Sequence, residues 1–186
     1  SVVNALSEWL EVEIFQNGNK YKQTYNRGIP QAPLKVVDTA DFTGTWVTFM
    51  PDFEIFETLD FNYDSIKTRL RELAYLNKGL TIKIEDKRVG REQSDTFFYE
   101  GGIAHFVEDL SKNKGAVFDK PVYFDVFYGD TEVEVALQYT DTYNEVVYAF
   151  ANNINTEEGG THLEGFKASL TRIINDAGKK LNVFKG

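Results

Sequence analysis

The sequence predicts an α+β fold, and three observations carry that prediction. Leu10, Val12 and Ile14 alternate with Glu11 and Glu13 and run directly into Asn17-Gly18, the pattern of a half-buried strand entering a tight hairpin. In the first part of the chain strand patterns outnumber helical ones, with one helical stretch from about Tyr63 to Lys78 to cover them. Near the C-terminus, Glu145 to Asn155, then Thr-Glu-Glu-Gly159-Gly160, then Thr161 to Asn175 reads as strand, glycine turn and helix.

In chain order, Ser1 to Ser7 places Val2, Val3 and Leu6 at helical spacing and reads as the end of a helix. After the hairpin, Lys20 to Tyr25 is the return strand. Asn26 to Leu34 carries Pro30 and Pro33 and runs extended along an edge. Gly44 opens a strand that Pro51 closes, and from the residues alone that glycine marks a bulge in preference to a ligand contact. Ile66, Leu70, Leu73 and Ala74 form the inward stripe of the following helix, which Gly79 ends. Leu80, Ile82 and Ile84 alternate as a strand, a turn at Val89-Gly90 follows, and Thr96 to Glu100 is its partner.

Gly101-Gly102 is the expected boundary between two domains, 1–100 and 101–186. Beyond it, Ile103, Phe106, Val107 and Leu110 make a short amphipathic helix, and strands at Val122 to Tyr128 and Thr131 to Tyr139 meet at Gly129-Asp130. The last helix starts at Thr161, because Thr161 and Glu164 have the spacing of a capping box. On that reading Thr161→Ala costs about 1 kcal/mol. Leu163, Phe166, Leu170, Ile173, Ile174 and Ala177 form the stripe of this helix, and Gly178 is its stop.

Composition narrows the function classes. A chain of 186 residues that is 42% hydrophobic can bury a normal core, in one domain or two small ones. Its net charge of −9 excludes a broad phosphate-tracking surface on this segment, so any role with DNA is local or indirect. The absence of cysteine excludes disulfides and thiolate metal sites. Apolar runs stay short of a membrane span, there is no secretory signal pattern, and the chain is placed in the cytoplasm. Ser1 stands where no initiator Met precedes it, and Gly186 follows a helix with no closing element; the chain reads as an internal fragment.

The catalytic inventory is thin. His105 and His162 are the two histidines, too few for a multi-histidine metal site, and His162 reads as structural or surface. The amides of Gly159-Gly160 could take an anion, yet no Lys-Ser/Thr follows, and a simple chain turn is the reading the residues favour. Carboxylate pairs such as Glu157-Glu158 and Glu132/Glu134 lack an apolar pocket that would tune one of them as an acid. The residues describe a binding or mechanical module, with no catalytic residue and no metal ligand set.

The string from Asn152 to Phe166, Asn-Asn-Ile-Asn-Thr-Glu-Glu-Gly-Gly-Thr-His-Leu-Glu-Gly-Phe, resembles the transducer region of the ATPase subunits of bacterial type II topoisomerases, the gyrase B and topoisomerase IV B family. Ser1-Val-Val-Asn-Ala-Leu-Ser7, Gly28-Ile-Pro-Gln-Ala-Pro33, Thr43-Gly44-Thr45, Tyr99-Glu-Gly-Gly-Ile103 and Glu134-Val-Ala-Leu-Gln138 continue the likeness in register over the whole chain. Trp9 to Ile14 and Val47 to Asp52 look more like topoisomerase IV, Arg71 to Asn77 more like gyrase, and the lean is towards gyrase. A non-catalytic interaction module of the same fold is the alternative.

The resemblance implies the C-terminal part of a Bergerat (GHKL) ATPase sandwich at 1–100 and an incomplete transducer domain at 101–186, with a ribosomal-protein-like left-handed βαβ crossover. It implies ATP and Mg2+ as cofactors of the parent protein, and DNA, the gyrase A subunit and a second B subunit as its partners. Thr45 would sit near the adenine and Val47 would line the adenine pocket, which turns the reading of Gly44 towards close approach of a ligand. Ser1 would lie at the inner edge of that pocket. Gln16 falls where relatives carry an arginine that holds aminocoumarin inhibitors at the rim. The family's catalytic glutamate, magnesium asparagine, adenine aspartate and lid precede Ser1, and its Gln-Thr-Lys loop follows Gly186. The fragment is therefore expected to hydrolyse no ATP.

Overall fold

In the computed structural model the described residues are 1–183; the last three residues of the expected transducer segment, through Gly186, lie outside them. By packing, the chain divides into Ser1–Asn62 and a second unit from Tyr63 onward.

The first unit opens with helix α1 (Val2–Ala5), whose cap Ser1 accepts a hydrogen bond from the Asn4 amide at 3.4 Å. Strands β1 (Ser7–Gln16) and β2 (Asn19–Asn26) pair antiparallel with Gln16 opposite Asn19. Asn17 at φ 54° and Gly18 at φ 78° supply the two left-handed positions that a type I′ turn needs. The short β3 (Ile29–Pro30) pairs with β2. So does β4 (Lys35–Thr39), a strand the sequence reading missed, although Val36 and Val37 lie between two turn-rich stretches. Strand β5 (Gly44–Pro51) pairs with the other side of β1, with Phe15 opposite Gly44. No bulge occurs at Gly44; the register slips at the far end, between Ser7 and Trp9.

The second unit begins with α2 (Tyr63–Leu76), followed by the antiparallel pair β6 (Ile82–Asp86) and β7 (Gln93–Phe97). Strand β7 starts three residues earlier than Thr96, because its register follows Ile82 opposite Phe97. Helix α3 (Gly102–Ser111) comes next, so Gly101-Gly102 lies inside this unit, where α2 packs on α3. Strands β8 (Val122–Tyr128) and β9 (Thr131–Leu137) form a hairpin around Gly129.

The expected strand from Glu145 is corrected. Only β10 (Phe150–Ala151) and β11 (Ile154–Asn155) pair, across Asn152 and Asn153, which both adopt positive φ. A strand exists through its ladder, and Glu145 to Ala149 finds no ladder partner among the described residues. Val146, Val147 and Tyr148 are accordingly exposed.

Helix α4 (Thr161–Lys180) starts where expected but is capped differently. The cap residue is Gly160, at φ 154°, so Thr161 is already the first helical residue and makes no capping-box hydrogen bond. The Glu164 amide instead donates to the Gly160 carbonyl at 3.1 Å. Gly178 is not the stop either: it is buried within the helix. The helix ends on Asn182, at φ 52°, with the Asn182 amide on Lys179 O and the Val183 amide on Gly178 O, the paired bonds of a Schellman motif. Thr161→Ala is therefore expected to change stability by less than about 0.5 kcal/mol, as surface substitutions do. Denaturant midpoints of the two proteins check this, and a loss near the N-cap value would restore the capping box.

Candidate functional site

Alternation along β1 and β5 builds the candidate surface. Thr45 lies opposite Ile14, Val47 opposite Val12, and Phe49 opposite Leu10, so these six side chains share one face of the sheet. Gln16 follows Ile14 by two residues and belongs to the same face, at its hairpin end. Three of the four expected site residues thus come together on one sheet face. Ser1 does not join them there, since it caps α1.

The face is apolar with isolated polar groups. Thr45 and Gln16 are exposed, and Val47 is 54% exposed. From β2, Tyr21 and Gln23 stand opposite Ile14 and Val12. Gln23 is already committed, donating to Ala32 O at 3.1 Å and accepting from the Tyr25 hydroxyl at 2.9 Å. Further along, Phe49 joins Val3, Leu6, Phe56, Leu59 and Phe61 around an apolar cleft of about 210 Å3. The opposite face of the sheet is charged: Lys20 pairs with Glu13 at 2.7 Å and Lys22 with Glu11 at 2.8 Å. A Phe15–Phe42–Trp46 cluster closes its end, with Phe15 and Phe42 stacked at 4.4 Å.

This arrangement can hold a planar, largely apolar group against Val47 and offer it one hydroxyl from Thr45. Among the described residues no three His, Asp or Glu side chains converge as a metal site. His105 packs edge-on against Tyr99 at 5.2 Å. His162 shares a hydrogen bond with Thr156 at 3.1 Å and lies over Gly160, where an added Cβ would come within 2.8 Å of the imidazole. The Gly159 amide donates to Thr156 O at 2.8 Å, so this glycine pair turns the chain and cushions His162. No described helix is long and apolar enough to cross a membrane.

Sequence reasoning missed two polar clusters. One joins Arg27 to the buried Asp52; the other joins Arg71, Tyr75, Tyr99 and Asp109. Their members lie 25 and up to 38 residues apart, beyond any local pattern.

Comparison with known proteins gives, among others, four matches. Residues 102–186 match the family model described as DNA gyrase B. The chain is 52% identical over 186 residues, its full length, to the DNA gyrase B protein of Halalkalibacterium halodurans, and it spans 29% of the length of that relative. Among solved structures it is similar to the 43K ATPase domain of Thermus thermophilus gyrase B in complex with an aminocoumarin, with a TM-score of 0.87 and 40% identity, covering 99% of this chain and 50% of that one. The B-subunit of the DNA gyrase from Myxococcus xanthus is also similar, with a TM-score of 0.83 and 27% identity over 98% of this chain and 52% of that one.

Proposed function

We propose that the chain works as part of an ATP-driven type II DNA topoisomerase, since residues 102–186 match the DNA gyrase B family model and the whole chain is 52% identical to a segment of a gyrase B protein. The parent protein couples ATP binding and hydrolysis to DNA strand passage and supercoiling, in the cytoplasm, together with a gyrase A subunit and a second B subunit. The observation that carries the reading is the likeness to the gyrase B ATPase domain over 99% of the chain. The curated relative is a gyrase B, which favours gyrase over topoisomerase IV.

In this reading residues 1–100 are the ATPase side and 101–186 the transducer side. Thr45 and Val47 receive the adenine, Val47 as apolar wall and Thr45 through its hydroxyl, and the shared, exposed face they occupy fits that part of the nucleotide. Ligands for Mg2+ and donors for the phosphates come from parts of the parent outside this chain, so the chain alone turns over no ATP. Full-length protein with its partner subunit should supercoil relaxed plasmid only when ATP is present. Loss of that dependence overturns the proposal, and ATP-driven decatenation without supercoiling moves it to topoisomerase IV.

Gln16 occupies the inhibitor rim. Its neutral amide cannot stack as a planar cation or give charge-assisted bonds as a guanidinium does. In the full-length protein Gln16→Arg is expected to strengthen aminocoumarin binding by about 0.5–2 kcal/mol, up to about thirtyfold. Calorimetric titration of both proteins measures this, and equal dissociation constants would remove Gln16 from the rim.

A further inference from the structure

Asn17 is the one asparagine of this chain that precedes a glycine. It stands at the tip of the β1–β2 hairpin with Gln16 and Gly18, all three exposed. Its side-chain amide makes no hydrogen bond among the described residues; only its backbone carbonyl is used, accepting from Asn19 Nδ2 at 3.3 Å. Gly18 holds φ 78°, its amide donates to no carbonyl among the described residues, and a Cβ built there would meet nothing within 4 Å.

Other asparagines lack this combination. Asn19 is followed by Lys20, and its side-chain amide is bonded to Asn17 O. Asn4 lies in α1, before Ala5, with its side-chain oxygen buried. Asn153 precedes Ile154 and donates to the Asn77 side chain at 3.1 Å.

A glycine amide nitrogen is unshielded by any side chain, and its peptide rotates at little steric cost. It can therefore reach the carbon of a preceding, unbonded carboxamide whenever the exposed turn opens locally. We propose that Asn17-Gly18 is a self-modification site, which converts to isoaspartate and aspartate without an enzyme or cofactor. Hydroxide takes the Gly18 amide proton, and the nitrogen attacks Asn17 Cγ. The new C–N bond closes a succinimide ring, the bond from Cγ to Nδ2 breaks, and ammonia leaves with a proton from water. Water then opens the ring. Cleavage between the Gly18 nitrogen and Cγ leaves aspartate; cleavage between that nitrogen and the Asn17 backbone carbonyl carbon leaves isoaspartate. One water enters and one ammonia departs, with no oxidant or reductant.

The product changes the hairpin. Both outcomes add a carboxylate next to Gln16, and isoaspartate also adds a methylene to the main chain. A two-residue turn built on the left-handed pair Asn17 and Gly18 has no place for an extra backbone atom. The pairing of Gln16 with Asn19 is then lost, and so is the bond from the Ala40 amide to Gly18 O, 3.1 Å long, that anchors the end of β4. The modification stands independently of the proposed function.

Peptide mapping of the full-length protein after incubation in mildly alkaline buffer tests the site. Trypsin leaves Asn4, Asn17 and Asn19 in one peptide that ends at Lys20, so Asn4 and Asn19 are internal controls. Fragmentation should place the mass gain of an NH2-to-OH exchange at Asn17, severalfold ahead of Asn4 and Asn19. An isoaspartate methyltransferase should label the same peptide, and Asn17→Gly, which keeps a pair suited to the turn, should abolish that label. The folded protein should convert severalfold more slowly than the guanidinium-unfolded protein. Amides of Asn19 and Ala40 should exchange severalfold faster after conversion, while those of α4 keep their rates. Conversion at Asn17 no faster than at Asn19, label that survives Asn17→Gly, or conversion confined to the unfolded protein overturns the site. Equal exchange before and after conversion overturns its effect on the hairpin.

Discussion

Tyr75→Ala is expected to destabilise the second unit by about 3–5 kcal/mol, the range for truncating a large buried aromatic side chain. The ring is almost wholly buried and packed on both faces, by Tyr99 and Phe106. Truncation leaves a void between two surfaces that stay apart, since Arg71 and Asp109 still hold α2 and α3 at their spacing. It also removes the hydroxyl that joins Asp109 and Arg71. Ordinary domains have about 5–15 kcal/mol in hand, so the variant should lie near its unfolding midpoint in modest denaturant. Urea titration followed by near-ultraviolet circular dichroism measures the loss, with Tyr75→Phe as the reference that keeps the ring. A loss under about 1 kcal/mol would mean that the core of this unit lies elsewhere.

What the sequence made legible follows from the range of each interaction. Asn17-Gly18 announced its hairpin because the backbone conformation needed there is a property of those two residues. The face shared by Thr45 and Val47 was readable as alternation, and its chemistry came only from resemblance, because an apolar wall and one hydroxyl are not distinctive. The cap of α4 was misread because Thr161 and Glu164 have the right spacing while Gly160, in a conformation open to glycine, already serves as cap. Glu145 to Ala149 was misread as strand because β propensity describes fitness for a pleated surface and not the presence of a partner. Asn152-Asn153 was a readable turn signal that went unused, since asparagine tolerates the left-handed region. The cluster of Arg71, Tyr75, Tyr99 and Asp109 was not readable at all: nothing near Arg71 in sequence indicates Asp109.

The first unit has its own knot, and Asp52→Ala is expected to cost it about 1.5–3 kcal/mol, the scale of losing hydrogen bonds to a charged group, since Arg27 is 44% exposed and keeps Glu54 at 2.9 Å. Asp52 is 3% exposed and follows directly on β5. Its carboxylate accepts from Arg27 Nε at 2.8 Å, from Arg27 Nη2 at 3.3 Å and from the Glu54 amide at 2.9 Å. Its backbone amide donates to Leu6 O at 3.0 Å, and its carbonyl accepts from Ile55 and Phe56. One residue therefore ties together the end of α1, the β2–β3 turn and the exit from β5. Arg27 sits at φ 45° in that turn with its amide on Glu8 O, so the ion pair also holds a backbone conformation that a non-glycine residue adopts at a cost. Asp52→Asn keeps one acceptor for the Glu54 amide and should lose less than Asp52→Ala. The pairing is isolated by a double-mutant cycle with Arg27→Met: a coupling close to zero, with Asp52→Ala still costly, would assign the effect to the loop hydrogen bonds and remove the ion pair from the account.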